Sequence, residues 1–196
     1  MKIVFLGTGD IGLPTLSAIQ DSEEHDILAV YTQPDRPFGR KGDLKVSEIK
    51  LFAQSCSIPV HQPEKIREIE AIESLVNYTP DIIVVIAYGQ ILPKSVLDIP
   101  KIACINLHAS LLPYHRGAAP IQASILAGDV CTGVTVMYVG EGLDDGDILF
   151  SISLDITAEE TGGSLHERLR KLGPDAVLHS LELLSSGSAP REEQEH

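Results

Sequence analysis

Asp81-Ile82-Ile83-Val84-Val85-Ile86-Ala87 is an unbroken β-branched run without polar alternation, and its reading decides the architecture of the chain. A strand with one wet face alternates apolar and polar residues. A strand apolar at every position must be covered on both faces, as in the centre of a parallel sheet. Working outward, Lys2 to Leu6 and Ile102 to Leu107 read the same way, and Asp26 to Thr32 looks like a further strand. Helical spacing runs from Ile11 to Ile19, with Pro14 tolerated in the first turn, and again through Val46 to Ser57. Glu64 to Tyr78 carries it through Ile66, Ile69, Ile72, Leu75 and Val76, with Ile58-Pro59-Val60 a short strand candidate before it. Ala118 to Ala127 suits a helix, while Gly133 to Val139 and Asp147 to Ile156 suit two later strands. A closing helix follows Thr161 with an apolar stripe from Leu165 to Leu184, bent at Gly173-Pro174. Pro34 to Leu44 is too rich in Pro, Gly and charge to be regular and reads as a long exposed loop. Strands alternating with helices specify the α/β class, with an open, mostly parallel Rossmann-like sheet and helices on both faces. Ligands of such sheets bind beyond the carboxyl ends of the strands.

At 196 residues the chain is long enough for one sizeable core, so one domain is expected over residues 1–186, with 187–196 the start of a linker or tail. Its content is 43% apolar and 22% charged, ordinary for a soluble protein. No apolar run reaches the roughly 18 residues of a membrane span, so no membrane partner is expected. Gly7, Asp10 and Pro14 interrupt the apolar opening before any cleavage-site pattern, which points to a cytoplasmic protein. Cys56, Cys104 and Cys131 lack C-x-x-C spacing and read as buried, reduced thiols rather than disulfide partners or metal ligands. A net charge of −13 argues against a general nucleic-acid binder and against a DNA partner, since polyanion affinity rests on Lys and Arg displacing counterions. A monomer is expected.

Gly7-Thr8-Gly9-Asp10-Ile11-Gly12 matches G-x-G-x-x-G between a strand and a helix, which raises a nicotinamide-dependent oxidoreductase as one reading. Such a site also wants an acidic residue ending the second strand, and that strand ends Tyr31-Thr32-Gln33. Glycines are equally required wherever a strand turns tightly into a closely packed helix, and that reading is preferred.

Stronger chemistry lies in Asn106-Leu107-His108, where two polar side chains alternate with an apolar one at a strand's carboxyl end and so share one face. Downstream, Glu141-Gly142-Leu143-Asp144-Asp145-Gly146-Asp147 is a glycine-punctuated acidic loop able to bring Asp144 to that edge. Asn, His and Asp together suit attack of an amine on a carbonyl-like carbon. Asn106 and protonated His108 would donate to the developing oxyanion, while Asp144 favours the charged imidazole and helps relay the amine's proton. Ser110 sits in Ala-Ser-Leu-Leu-Pro without the glycines of a nucleophile elbow, and is expected to shape a ligand loop.

Asn106-x-His108 followed by Ser110-Leu111-Leu112-Pro113 resembles the folate-dependent formyltransferases, and among them most closely the methionyl-tRNA formyltransferases. The resemblance extends to Gly7-Thr8, Pro34-Asp35-Arg36-Pro37, Ala87-Tyr88-Gly89, Ile91-Leu92-Pro93, Arg116-Gly117-Ala118-Ala119-Pro120, Thr132-Gly133-Val134-Thr135 and Gly142-Leu143-Asp144. It implies transfer of a formyl group from 10-formyltetrahydrofolate, as cosubstrate, to the amino group of initiator methionyl-tRNA, with no metal. Asn106, His108 and Asp144 would be the catalytic trio, Ser110 to Pro113 would touch folate, and Ile91 and Leu92 would frame the pterin. Asp35 to Lys50, locally basic, resembles the loop that meets the tRNA acceptor arm, with Arg36, Arg40 and Lys41 as contacts. Two departures stand out: Lys45-Val46-Ser47-Glu48 lacks the usual Pro-Ser-Pro flavour, and the sequence is expected to reach only the linker that precedes the barrel-like second domain of full-length members. The smaller acceptors of related enzymes, glycinamide ribonucleotide or an amino-sugar nucleotide, are the alternatives. Ala118 stands where the sugar enzymes tend to carry Arg.

Overall fold

Strand order is set by which segments are apolar on every side. The computed structural model describes residues 1–38 and 43–195, in two compact units, Met1–Cys104 and Ile105–His196. In the first unit β1 (Lys2–Gly7) and β2 (Asp26–Tyr31) are followed by a two-stranded ribbon, β3 (Arg36–Phe38) and β4 (Asp43–Lys45), then β5 (Val60–His61) and β6 (Ile82–Ile86). Strands β5, β2, β1 and β6 lie side by side in that order, all parallel. Every residue of β6 is buried, as are Ile3 to Leu6 of β1, so both strands are covered on both faces as their composition requires. Helices α1 (Leu13–Gln20), α2 (Glu48–Ser55), α3 (Ile69–Tyr78) and the short α4 (Lys94–Leu97) complete this unit.

The glycine fingerprint is a packing device. A Cβ on Gly7 would lie 2.5 Å from the Phe5 ring and 3.0 Å from the Ile86 carbonyl, and one on Gly9 would lie 3.0 Å from the Ala87 Cβ. The N–H groups of Thr8 and Gly9 both donate to the Ala87 carbonyl, at 3.2 and 3.3 Å, so the turn's amides are committed to the neighbouring strand.

Two local expectations are corrected. Pro34 to Leu44 is not wholly irregular: β3 and β4 pair antiparallel, with Arg36 opposite Lys45 and Pro37 opposite Leu44. Both strands of a two-stranded ribbon are edges, where proline's missing N–H is tolerated. Helix α3 begins at Ile69 rather than Glu64 because the Ile66 N–H donates to the Gln90 side chain at 2.7 Å, and Glu68 is extended. Ile66 is nevertheless buried, while Ile69 and Val76 are exposed.

The second unit is built on β7 (Ala103–His108), which crosses the boundary between units, with β8 (Cys131–Tyr138) and β9 (Ile148–Asp155). These run antiparallel in the order β7-β8-β9. Helix α5 (Pro120–Ala127) and the 25-residue α6 (Gly162–Ser186) pack together, and α6 also packs on β8 and β9. Thr161 and Ser164 form a capping box at its start, and Gly187 ends it in the left-handed conformation. It continues through Gly173-Pro174 as one helix, with Leu165, Leu169, Val177, Leu181 and Leu184 buried as the stripe predicts. No helix among the described residues is long and apolar enough to cross a membrane.

All three cysteines are free, but only Cys104 is buried; Cys56 is half-buried at the end of α2, and Cys131 is exposed at the start of β8. Burial pushes the Cys104 thiol well above its ordinary range. Iodoacetamide at mildly alkaline pH is therefore expected to label Cys131 first and to reach Cys104 only on unfolding, as peptide mapping would show. A second test concerns glycine. A Cβ on Gly133 would stand 2.0 Å from the Ile152 carbonyl and 2.7 Å from Leu111, whereas one on Gly162 meets nothing within 4 Å. Urea titration should show Gly133→Ala losing about 3 kcal/mol through overpacking against backbone. Gly162→Ala should gain about 0.5 kcal/mol by restricting the unfolded chain.

Candidate active site

Asn106 and His108 occupy the carboxyl end of β7, opposite Met137 and Thr135 of β8, and their two-residue spacing puts both on one face. The backbone carbonyl of His115 lies 2.9 Å from His108 Nε2. A carbonyl can only accept, so Nε2 carries the proton and Nδ1 is the free ring nitrogen. Nδ1 faces Asp144 Oδ2 at 3.6 Å, with 7% and 15% of the two side chains exposed. His115 holds a left-handed backbone conformation at φ 56°, and its own ring pairs with Asp129 at 2.5 Å. No described residue hydrogen-bonds the Asn106 carboxamide, which is half-buried. The site thus presents an uncommitted amide donor beside an imidazole backed by a carboxylate.

The acid loop is as constrained as the strand. Asp144 sits at φ 51°, and the Gly117 N–H donates to its Oδ2 at 2.9 Å. Gly146 must lack a side chain, since a Cβ would come within 1.9 Å of the Tyr138 carbonyl. Tyr138 in turn donates its N–H to the Asp147 carbonyl at 2.9 Å, closing the loop.

Ser110 is fully buried, and its hydroxyl donates to the Tyr114 carbonyl at 2.6 Å. It shapes the loop, as its flanking sequence predicts, and presents no exposed nucleophile. Thr135 holds the other side of that loop: its hydroxyl donates to the Ser110 carbonyl at 2.7 Å and accepts the Leu112 N–H at 3.1 Å. Leu112 is buried, and Leu111 and Pro113 are half-buried. In the first unit Leu92 is buried and Ile91 is 83% exposed. Arg36 is exposed on β3, whereas Arg40 and Lys41 lie outside the described residues.

Three contributors escape a reading of the sequence: the His115 carbonyl, the Gly117 N–H and Gln194. Backbone groups leave no sequence signal. Gln194 lies in the segment read as a linker, yet only 7% of it is exposed. Its carboxamide donates to the Asp144 and Gly146 carbonyls at 3.0 and 2.7 Å and accepts from Arg116 Nε at 2.9 Å. Nearby, Arg191 lies 3.7 Å over the Tyr138 ring, and burial raises the Tyr138 phenol against the opposing effect of that guanidinium.

Residues 1–181 match the formyl transferase family. A protein of Clostridioides difficile (strain 630) named methionyl-tRNA formyltransferase is 48% identical over 196 residues, all of this chain and 63% of that protein. One of the same name from Ectopseudomonas mendocina (strain ymp) is 52% identical over 188 residues, covering 96% of this chain and 60% of its own length. The chain thus spans about three fifths of the length of these relatives. Among solved structures, a phosphoribosylglycinamide formyltransferase from Bacillus halodurans superposes with a TM-score of 0.81 at 22% identity, over 95% of this chain and 97% of its own. A sugar N-formyltransferase from Shewanella sp FDAARGOS_354 gives 0.71 at 18% identity, over 100% and 74%. These likenesses bear out the α/β, Rossmann-like fold, and the match over residues 1–181 establishes that the chain belongs to the formyl transferase family.

Proposed function

We propose that the chain transfers a formyl group from 10-formyltetrahydrofolate to the amino group of methionyl-tRNA, as its relatives' names indicate for them. The observation that carries this reading is the free carboxamide of Asn106 beside a His108 whose Nδ1 faces Asp144. The acceptor amine adds to the formyl carbon, forming the new C–N bond and moving the carbonyl pair onto oxygen. The neutral Asn106 carboxamide donates to that oxyanion, and His108, protonated and paired with Asp144, supplies the positive charge beside it. Collapse restores the carbonyl and breaks the bond to the folate nitrogen. The proton shed by the amine is taken up by the Asp144 carboxylate through water and passed on to the folate nitrogen as its bond breaks, so that His108 keeps its charge throughout. No covalent enzyme intermediate is needed.

In this proposal Ser110 to Pro113 contact the folate from a loop that Thr135 holds rigid, and Ile91 and Leu92 frame the pterin. Arg36, Arg40 and Lys41 meet the tRNA. The choice of methionyl-tRNA over a smaller amine is supported by relatives near 50% identity along this chain, against about 20% for the structures that act on smaller amines.

Tetrahydrofolate release from 10-formyltetrahydrofolate should be followed with methionyl-tRNA, glycinamide ribonucleotide or an amino-sugar nucleotide as acceptor. Turnover is expected with methionyl-tRNA, falling about 10²- to 10³-fold in Asn106→Ala and in His108→Ala. Turnover with a small amine alone would overturn the acceptor, and undiminished turnover in His108→Ala would overturn the mechanism. Thr135→Val removes one hydroxyl of nearly constant volume and leaves the Leu112 N–H and Ser110 carbonyl unpaired. It should cost about 2 kcal/mol in urea unfolding and raise KM for the folate cosubstrate.

A further inference from the structure

The loop that carries Asp144 is closed by the Tyr138 N–H and gripped by the Gly117 N–H, and a further part of the chain holds it as well. Glu141, Gly142, Leu143 and Asp145 are exposed, and Asp144 stands in a left-handed conformation that a side-chain-bearing residue disfavours. That further part is the segment after α6. Arg191 lies on the Tyr138 ring and pairs with Asp147 at 3.3 Å. Glu192 and Ile148 exchange both backbone hydrogen bonds, at 2.8 and 3.0 Å, where β9 begins. Gln194 then inserts into the loop itself.

We propose that Gln194 is a positioning residue for catalysis, acting through the Asp144 backbone. Its two amide protons match the two carbonyls they meet, those of Asp144 and Gly146, and its oxygen accepts from both Arg116 Nε and Nη2, at 2.9 and 2.7 Å. The carboxamide therefore ties the acid loop to the residue immediately before Gly117, whose N–H grips the Asp144 carboxylate at 2.9 Å. Backbone and side chain of Asp144 are held from opposite ends by one connected set of hydrogen bonds. The carboxylate's distance from His108 depends on it. A buried carboxamide meeting complementary partners on both its donor and acceptor sides is a built contact rather than a tail lying on a surface. Gln194 lies beyond the residues matched to the family, so family membership does not assign it this role. The catalytic consequence rests on the function proposed above; the latch itself does not.

Gln194→Met keeps the volume and removes every hydrogen bond. Gln194→Glu keeps an acceptor for Arg116 but turns a carboxylate toward two carbonyls. Glu193→Ala, at an exposed neighbour, is the control. Amide exchange by NMR should show the Gly117 N–H exchanging at least about tenfold faster in both Gln194 variants, with Val134 and Val136 of β8 unchanged; a general loss of stability would speed all three. In the same variants kcat for formyl transfer should fall about ten- to a hundredfold, as for an ångström-scale displacement of a catalytic group. KM for the folate cosubstrate should stay within twofold, and Glu193→Ala should match the parent. Parental Gly117 exchange in Gln194→Met would overturn the latch. Faster exchange with undiminished kcat would overturn its catalytic role, as would parental behaviour of Gln194→Glu for the donor assignment. A parent chain without formyl transfer to any acceptor would sink the proposed function, and the Gly117 exchange would still decide the latch.

Discussion

Asp144 Oδ2 accepts the Gly117 N–H at 2.9 Å and faces His108 Nδ1 at 3.6 Å, and the site's other elements are arranged about that oxygen. The strand supplies His108 at a fixed height, with the His115 carbonyl deciding which ring nitrogen carries the proton. The loop supplies the carboxylate. It can do so only in a left-handed backbone conformation, with Gly146 passing too close to the Tyr138 carbonyl for any side chain.

The neighbouring loop from Ser110 to Pro113 is held in a different way. Thr135 uses its one hydroxyl as donor to Ser110 and acceptor from Leu112, stitching the loop to the strand directly beside His108. The close pass of β8 against β9 at Gly133, which admits no Cβ, brings Leu111 down onto the sheet. Antiparallel packing of β7, β8 and β9 therefore serves the site as well as the core: it aligns Asn106 and His108 with the strand whose end begins the acid loop.

How much of this was legible follows from what each residue contributes. Apolar runs announced β1 and β6 because full burial demands them, and a spacing of two placed Asn106 and His108 on one face. Thr161 and the stripe through Leu184 marked α6. The ribbon of β3 and β4 was hidden because Pro37 argues against a strand unless the pairing has free edges. Helix α3 started late because a distant side chain, Gln90, captured the Ile66 N–H, a contact that periodicity does not encode. The exposure of Cys131 depends on where β8 begins, which its flanking sequence does not mark. Gln194 was invisible for a related reason: in a polar tail one glutamine resembles any other until the carbonyls of Asp144 and Gly146 are seen to face it.

The most direct measurement is a crystal structure of the chain with a non-transferable analogue of the formyl donor. The account predicts the analogue's formyl oxygen within hydrogen-bond distance of the Asn106 carboxamide nitrogen, its carbon beside His108, and Asp144 Oδ2 still held by the Gly117 N–H. A formyl group bound away from Asn106, or an Asp144 carboxylate turned from His108 in the complex, would contradict it.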